Sequence, residues 1–139
     1  MDVLSAPYVL EYTYQRSTGP VVGRFLTGLR EKRIEGVRAI DGRVLVPPRE
    51  YDEDGEATGD FVEVGQEGVV VTWARVEAPK RFHPLQTPFA WALIRLDGAD
   101  TALLHAVDGT VKTGDRVRAR WKDERIGSIR DIECFEVTR

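Results

Sequence analysis

Five strand-like runs, separated by short turns, constrain the fold of this chain more than any other feature of its sequence. The separators are rich in Gly, Asp and Pro, and no stretch of helical period interrupts the runs. Five short strands with hairpin turns predict a small closed barrel, with the OB-fold as first candidate and an SH3-like barrel as second. The runs are GVVVTWARVEA, PFAWALIRLDG, TALLHAVDG, DRVRARWKDE and DIECFEVTR.

A helical pattern precedes the barrel. Apolar residues recur at helical spacing in TGPVVGRFLTGLREKRI, which predicts one amphipathic helix of about four turns. From Gly36 the period changes to two, and RVLVPP predicts a short strand that stops at two prolines. We therefore expect a mainly β chain with a leader and helix over residues 1–35, a ribbon-like module over 36–62 and the barrel over 63–139.

The charge and cysteine totals limit the functions that fit. A net charge of −3 and a pI of about 5.5 argue against nucleic acid as the main partner, because neutralising phosphates requires an excess of cations. A single cysteine excludes a disulfide framework and favours the cytoplasm. We expect no membrane contact, because no apolar run approaches about 18 residues.

Residues that commonly carry catalysis are few. Cys134 lies in the last strand run, where alternation places it on one face with Ile132, and a small buried hydrophobe is the ordinary interpretation. His83 lies in a proline-rich loop and His105 in a strand, and neither has the carboxylate or cysteine spacing of a zinc site. We therefore expect no catalytic residue in this chain.

One strand run, DRVRARWKDE, carries cations at alternate positions. Because side chains alternate across a strand, the cations fall on one face, opposite Val117, Ala119 and Trp121. On an OB barrel, a cationic face can contact coenzyme A phosphates or single-stranded nucleic acid. A direct acyl-CoA-binding domain and a nucleic-acid-binding OB module therefore stay open as alternatives. The anion-facing candidates are Arg116, Arg118, Arg120 and Lys122.

Several segments together resemble one family, the zinc-ribbon/OB-fold acyl-CoA-associated family, which is often encoded next to thiolase-like enzymes. The segments are FLTGLREKRIEGVRAIDGRVLVPPRE, GVVVTWARVEAP, PFAWALIRLDGADTALLHAVDG, GDRVRARW and IRDIECFE. The resemblance covers most of the chain, from about Pro20 onward. It implies a helix, then a rubredoxin-like ribbon with two pairs of zinc-binding cysteines, then an OB barrel.

The ribbon departs from the family at every metal ligand. If the Asp-Gly-Arg triplet that begins at Asp41 matches the family's Cys-Gly-Arg, the first cysteine pair falls on Arg38 and Asp41. The second pair then falls near Asp52 and Gly55. An arginine, two carboxylates and a glycine cannot form a tetrahedral zinc site. We therefore expect a degenerate, metal-free ribbon held by packing and glycine turns, and no cofactor.

The resemblance implies an accessory subunit rather than an enzyme that acts alone. Its partner would be a lipid-transfer-type subunit of the thiolase superfamily, in a heterotetramer of two plus two subunits. A hotdog-fold hydratase would lie on the same polypeptide or in the same complex. The cysteine-less ribbon resembles the form from actinobacterial steroid degradation. There the partner is an aldolase, a lyase that cleaves a steroid-CoA side chain by a retro-aldol step in cholesterol catabolism.

Aromatic residues of the leader and of one long loop are the candidates for contact with such a partner. The leader has tyrosines but predicts no secondary structure of its own. The loop in EAPKRFHPLQTPFAW is long for a barrel connection and is a candidate binding loop. Barrel core is the competing interpretation for Phe89 and Trp91. The partner-interface candidates are Tyr8, Tyr12, Tyr14, Phe82, Phe89 and Trp91.

We predict that the purified chain carries no zinc and folds without it, because the four ligand positions lack thiolates and imidazoles. Elemental analysis should find no bound zinc, and a chelator should leave the melting temperature unchanged. One zinc per chain, or a lower melting temperature in chelator, would contradict the metal-free ribbon.

Overall fold

The computed structural model describes Ser5 and residues 18–138. The helix α1 spans Gly19–Arg30, and a 3-10 turn covers Ile129–Asp131. No helix in this part of the chain has the length and apolarity needed to cross a membrane. The strands are β1 (Glu35–Arg38), β2 (Val44–Leu45), β3 (Phe61–Glu63), β4 (Glu67–Val76), β5 (Phe89–Leu96), β6 (Leu103–Asp108), β7 (Arg116–Trp121) and β8 (Ile132–Val137).

The last five strands close into a barrel in the order β4-β5-β6-β8-β7. All pairs are antiparallel except β6 and β8, which pair in parallel through Val107 and Phe135. The predicted mainly β fold, with a five-stranded OB barrel after one helix, is confirmed. β1, β2 and β3 form a separate three-stranded sheet in the order β2-β1-β3. The division of the chain at residues 36 and 63 stays a prediction.

Strand alternation explains why these residues form the barrel. Ala90, Ala92, Ile94 and Leu96 of β5 are buried, whereas Leu93 between them lies on the outer face and is exposed. Such a period of two places one side of each strand in the interior and leaves the other side to loops, solvent or partners.

The largest of three hydrophobic clusters in the described residues joins helix, ribbon and barrel. Leu29 of α1 and Ile34 after it are fully buried in this core, together with Val46 of the ribbon and Phe135 of β8. The ribbon is also hydrogen-bonded to the barrel, because Thr101 Oγ1 accepts the Val46 N–H at 2.7 Å. The ribbon therefore packs on the barrel instead of standing apart from it.

An ion pair attaches the helix to the ribbon. Arg24 donates two hydrogen bonds to the Glu35 carboxylate, at 3.2 and 3.0 Å, and its guanidinium lies 4.1 Å from the ring centre of Phe61. These bonds from Arg24 lower the pKa of Glu35, although burial opposes them. Glu35 is only 5% exposed, so its charge depends on Arg24 and on Arg33, whose Nε lies 3.6 Å from Glu35 Oε1.

Two details of the sequence interpretation are wrong. The helix has 12 residues, a little over three turns instead of four, because Glu31 caps it and Lys32 has a φ of 58°. Ile132 does not share a face with Cys134: it joins the main core, and Cys134 packs outside the barrel. The reason is an irregular register in the β7–β8 ladder, where Arg120 pairs with Cys134 but Trp121 pairs with Ile132.

We predict that Gly68→Ala destabilises the barrel by about 2 kcal/mol or more, because overpacking against backbone cannot be relieved by a rotamer change. A Cβ at Gly68 would lie 2.8 Å from the Cα of Leu96 and nearer still to the Arg95 carbonyl oxygen. Gly59→Ala is the matched control, since its Cβ would meet only the Arg38 carbonyl oxygen, at 3.6 Å. Urea unfolding measures both, and equal stability of the two variants would contradict the prediction.

Candidate functional site

A cavity of about 560 Å³ lies on the outer face of the barrel, where two loops approach each other. We call it the loop cavity. Loop 77–88 connects β4 to β5, loop 122–131 connects β7 to β8, and the floor comes from β5 and β6. In OB-folds, the corresponding loops and strands commonly bind ligands. The lining of the cavity includes Phe82, His83, Trp91, Leu104, Lys122, Ile129 and Arg130.

Loop 77–88 is held by its own histidine and by a small apolar cluster beneath it. His83 Nδ1 accepts the Lys80 N–H at 2.9 Å, and the imidazole lies edge-on to Phe89, with ring centres 5.4 Å apart. Phe89, Ala106 and Cys134 form the buried centre of this cluster on the outside of the barrel. The proline-rich loop therefore covers apolar residues that would otherwise face solvent.

Loop 122–131 is organised by one buried carboxylate. Asp131 is 2% exposed and accepts the backbone N–H groups of Ile126, Gly127 and Ser128, at 3.0, 2.8 and 3.1 Å. Burial raises the pKa of Asp131, but the backbone donors outweigh it and hold this pKa below its ordinary value. The side chain that orders this wall of the cavity is therefore ionised at neutral pH.

Contacts from outside the barrel fix how the two loops meet. The Arg125 Nε donates to the Arg30 carbonyl at the end of α1, at 2.8 Å. Arg130 donates to the Phe82 carbonyl at 3.4 Å, which joins one loop to the other. The helix thus supports loop 122–131, and that loop in turn supports loop 77–88.

Two potentially reactive side chains lie near the cavity. Burial raises the pKa of Cys134 to about 12, so its thiol stays protonated. His105 is 5% exposed, and burial lowers its pKa against the effect of the Ile129 carbonyl, which lies 3.3 Å from Nε2. Its Nδ1 accepts the Ala106 N–H at 2.8 Å. Backbone groups therefore engage both nitrogens of this imidazole.

The proposed partner-contact residues fall into three groups. Phe82 is 62% exposed at the mouth of the cavity, and Trp91 is half-buried in its wall. Phe89 is fully buried under loop 77–88, so it supports the loop and is not available for direct contact. Tyr8, Tyr12 and Tyr14 lie outside the described residues.

The proposed anion-facing strand is neutralised by carboxylates. Arginines alternate along β7 as expected, but each one forms an ion pair with a carboxylate from another part of the barrel, such as Arg116 with Asp97 at 2.7 Å. Arg118 pairs with Glu136, and Arg120 with Glu133, Asp108 and Glu136. Three guanidiniums therefore face four carboxylates, which leaves no positive excess. Lys122 is separate from them, because it lies in the cavity wall.

The former ligand positions of the ribbon do not fit zinc. Arg38 Nη1 donates to the Gly42 carbonyl at 3.0 Å, and the Asp52 carboxylate accepts two backbone N–H groups, at 2.9 and 3.0 Å. Asp41 and Glu53 are joined through Arg43, so an ionic link connects the two turns. In the described part of the chain, no group of three or more His, Cys, Asp or Glu could hold a metal ion. The metal-free state itself stays a prediction.

The sequence interpretation missed three members of the cavity: Leu104, Ile129 and Arg130. Leu104 is 58% exposed on the outer face of β6, but the run TALLHAV is apolar on both faces and did not reveal it. Ile129 and Arg130 lie in a short segment with no periodicity, so no pattern could assign them to a wall.

Residues 61–122 match a family model described as the C-terminal OB-fold domain of ChsH2. The match includes β4 to β7 and loop 77–88. No curated protein matches the chain.

Two solved structures share the fold. One is a protein of unknown function from the DUF35 family of Sulfolobus solfataricus, with a TM-score of 0.63 and 25% identity over 86% of this chain and 85% of that chain. The other is described as an Ltp2-ChsH2(DUF35) aldolase, with a TM-score of 0.63 and 19% identity over 88% of this chain and 98% of that chain.

We predict that Asp131→Asn lowers the free energy of unfolding by about 2 kcal/mol at pH 7, because hydrogen bonds from three backbone donors lose their charged acceptor. Asp131 has a lower pKa folded than unfolded, so its contribution is complete above about pH 4 and is lost as the pH falls further. The difference in unfolding free energy between Asp131→Asn and the unaltered chain should therefore be smaller at pH 3 than at pH 7.

Urea unfolding at both pH values measures this effect. Asp123→Asn, an exposed position in the same loop, is the matched control. A deficit as small as that of the control, or one that does not change with pH, would contradict the role given to Asp131.

Proposed function

We propose, on the premise that residues 61–122 belong to the family of the ChsH2 C-terminal OB-fold domain, that this chain is a non-catalytic accessory subunit of a thiolase-like aldolase. The likeness to the Ltp2-ChsH2(DUF35) aldolase carries the proposal, because it extends over 88% of this chain and 98% of that chain. A likeness that extends beyond the barrel supports a shared role better than the barrel alone does.

The chemistry of the described residues supports a role without catalysis. The Cys134 thiol is buried and protonated at neutral pH, and backbone groups engage both ring nitrogens of His105. Neither side chain is prepared to act as a nucleophile or a general base. We therefore assign the reacting groups to the partner, which this chain stabilises or completes.

The finer proposal concerns the partner and its reaction. We propose a cytoplasmic complex with a lipid-transfer-type subunit of the thiolase superfamily, as two plus two subunits, with a hotdog-fold hydratase on the same polypeptide or in the complex. The partner would cleave a steroid-CoA side chain by a retro-aldol step. The support for the steroid substrate is the cysteine-less ribbon, whose former ligand positions are Arg38, Asp41, Asp52 and Gly55.

The ion pairs of β7 weaken both alternatives. Nucleic-acid and coenzyme A phosphates require an excess of positive charge, whereas Arg116, Arg118 and Arg120 are matched by carboxylates. The loop cavity has a cationic rim, but its walls are largely apolar. Its shape and chemistry favour an apolar group with a nearby anion over an extended polyphosphate.

We predict that this chain co-purifies with a thiolase-like aldolase subunit from the same organism when the two are produced together. The physical reason is that exposed apolar side chains, such as Phe82 and Leu104, are more stable when a partner covers them. Aldolase activity should require both chains, and light scattering should give the mass of two copies of each.

A barrel variant that does not fold supplies the negative control for co-purification. The proposal fails if the two folded chains elute separately and the thiolase-like subunit is equally active alone. Binding to a single-stranded oligonucleotide that weakens steeply with salt would favour the nucleic-acid alternative.

A further inference from the structure

We infer that the loop cavity receives a peptide segment of the thiolase-like partner that carries an apolar side chain close to a carboxylate. This inference rests on the proposed function and adds the place of contact and the chemistry of the contacting segment.

The walls of the cavity are suited to an apolar side chain. Trp91 and Leu104 form the floor on β5 and β6, and Phe82 and Ile129 extend from the two loops. Three of these residues are well exposed: Phe82 at 62%, Leu104 at 58% and Ile129 at 39%. Large apolar side chains that gather around one concavity are typical of protein contact sites.

The rim of the cavity offers hydrogen-bond donors. Lys122 and Arg130 lie in the wall, and no carboxylate of residues 18–138 forms a salt bridge with either. The one acidic side chain in the lining, Glu133, is paired with Arg120 at 2.8 Å. Because His83 Nδ1 accepts a backbone N–H, the proton of the neutral ring is on Nε2, which is a further donor. Such a rim complements a carboxylate.

The extent of the apolar surface favours a protein segment over a free small molecule. A volume of about 560 Å³ is within the range of small-molecule pockets, roughly 300–1,000 Å³. The volume alone therefore does not distinguish a small-molecule site from a protein contact site. However, Leu93 pairs across the strands with Leu104 and is 36% exposed outside the cavity. Ile126 of loop 122–131 is 82% exposed. A small ligand inside the cavity would leave these residues in water, whereas a protein surface would cover them.

The test is the affinity of the full chain for the thiolase-like subunit with which it co-purifies, measured by calorimetry. Leu104→Asp should weaken binding about tenfold or more, because it places a charge on the apolar floor. The double variant Lys122→Glu/Arg130→Glu should also weaken binding about tenfold and reduce its dependence on salt. Both sites are on the surface, and melting temperatures near that of the unaltered chain verify folding.

Matched controls carry the same changes elsewhere. Ile40→Asp alters a residue that is 74% exposed on the ribbon, and Lys112→Glu reverses an exposed cation outside the cavity. Both controls should bind like the unaltered chain. If Ile40→Asp and Leu104→Asp lose equal affinity for the partner, or if Leu104→Asp loses none, the docking site is wrong. Neither result would contradict the proposed function.

Two further outcomes separate the docking site from the proposed function. If the unaltered chain does not bind the thiolase-like subunit, the proposed function is wrong and the docking site falls with it. If free coenzyme A binds the isolated chain and Lys122→Glu/Arg130→Glu abolishes that binding, the cavity is a small-molecule site and the peptide inference is wrong. If the chain self-associates and Leu104→Asp abolishes that self-association, the cavity binds a second copy of this chain, and the peptide inference is likewise wrong.

Discussion

The parallel pairing of β8 with β6 is the constraint on which the site depends. β8 enters the barrel between β6 and β7, and its pairing of Phe135 with Val107 aligns the starts of β6 and β8. Loop 122–131 leads into that start, whereas loop 77–88 leads into β5 beside the end of β6, so the two loops approach the outer face of β5 and β6 from opposite ends. A different strand order would separate the loops, and no cavity would form between them.

The closure of the barrel also determines where charge is available. Pairing of β7 with β8 places Arg118 and Arg120 beside Glu136 and Glu133, so the strand that is richest in cations is internally neutralised. Within residues 18–138, the cations at the edge of the loop cavity, Lys122 and Arg130, have no such pairing across strands. Electrostatic attraction is therefore directed to the loops and not to the strand face, which suits a localised anion on a protein surface.

The barrel was predictable from the sequence because each strand shows an apolar alternation with a period of two, and each turn contains residues that favour turns. β5 to β8 fall within the predicted runs and β4 begins one residue before its run, at Glu67, since alternation and turn chemistry are local properties. The helix was predicted slightly too long, because a lysine gives no sequence signal for the left-handed conformation that Lys32 adopts just after the helix. The side of β8 on which Ile132 lies depends on an irregularity in the ladder, which alternation cannot reveal.

The candidate site was only partly predictable, for the same physical reason. The sequence identified loop 77–88 and Phe82, because a long proline-rich connection is visible locally. It could not identify Arg130, whose hydrogen bond to the Phe82 carbonyl joins two loops that are 48 residues apart in the sequence. Nor could it show that the carboxylates facing Arg120 come from β6 and β8. Whether an arginine-rich strand carries a net positive charge depends on the carboxylates that pair with it from distant parts of the sequence, and not on the composition of the strand itself.

The central claim is that the loop face of the barrel is the surface that contacts the partner. Hydrogen–deuterium exchange of this chain, measured alone and with the thiolase-like subunit, tests it most directly. We expect slower amide exchange in loops 77–88 and 122–131 on binding, with little change in the ribbon turns near Ile40 and Tyr51. Protection confined to the ribbon turns, with both loops unchanged, would contradict it.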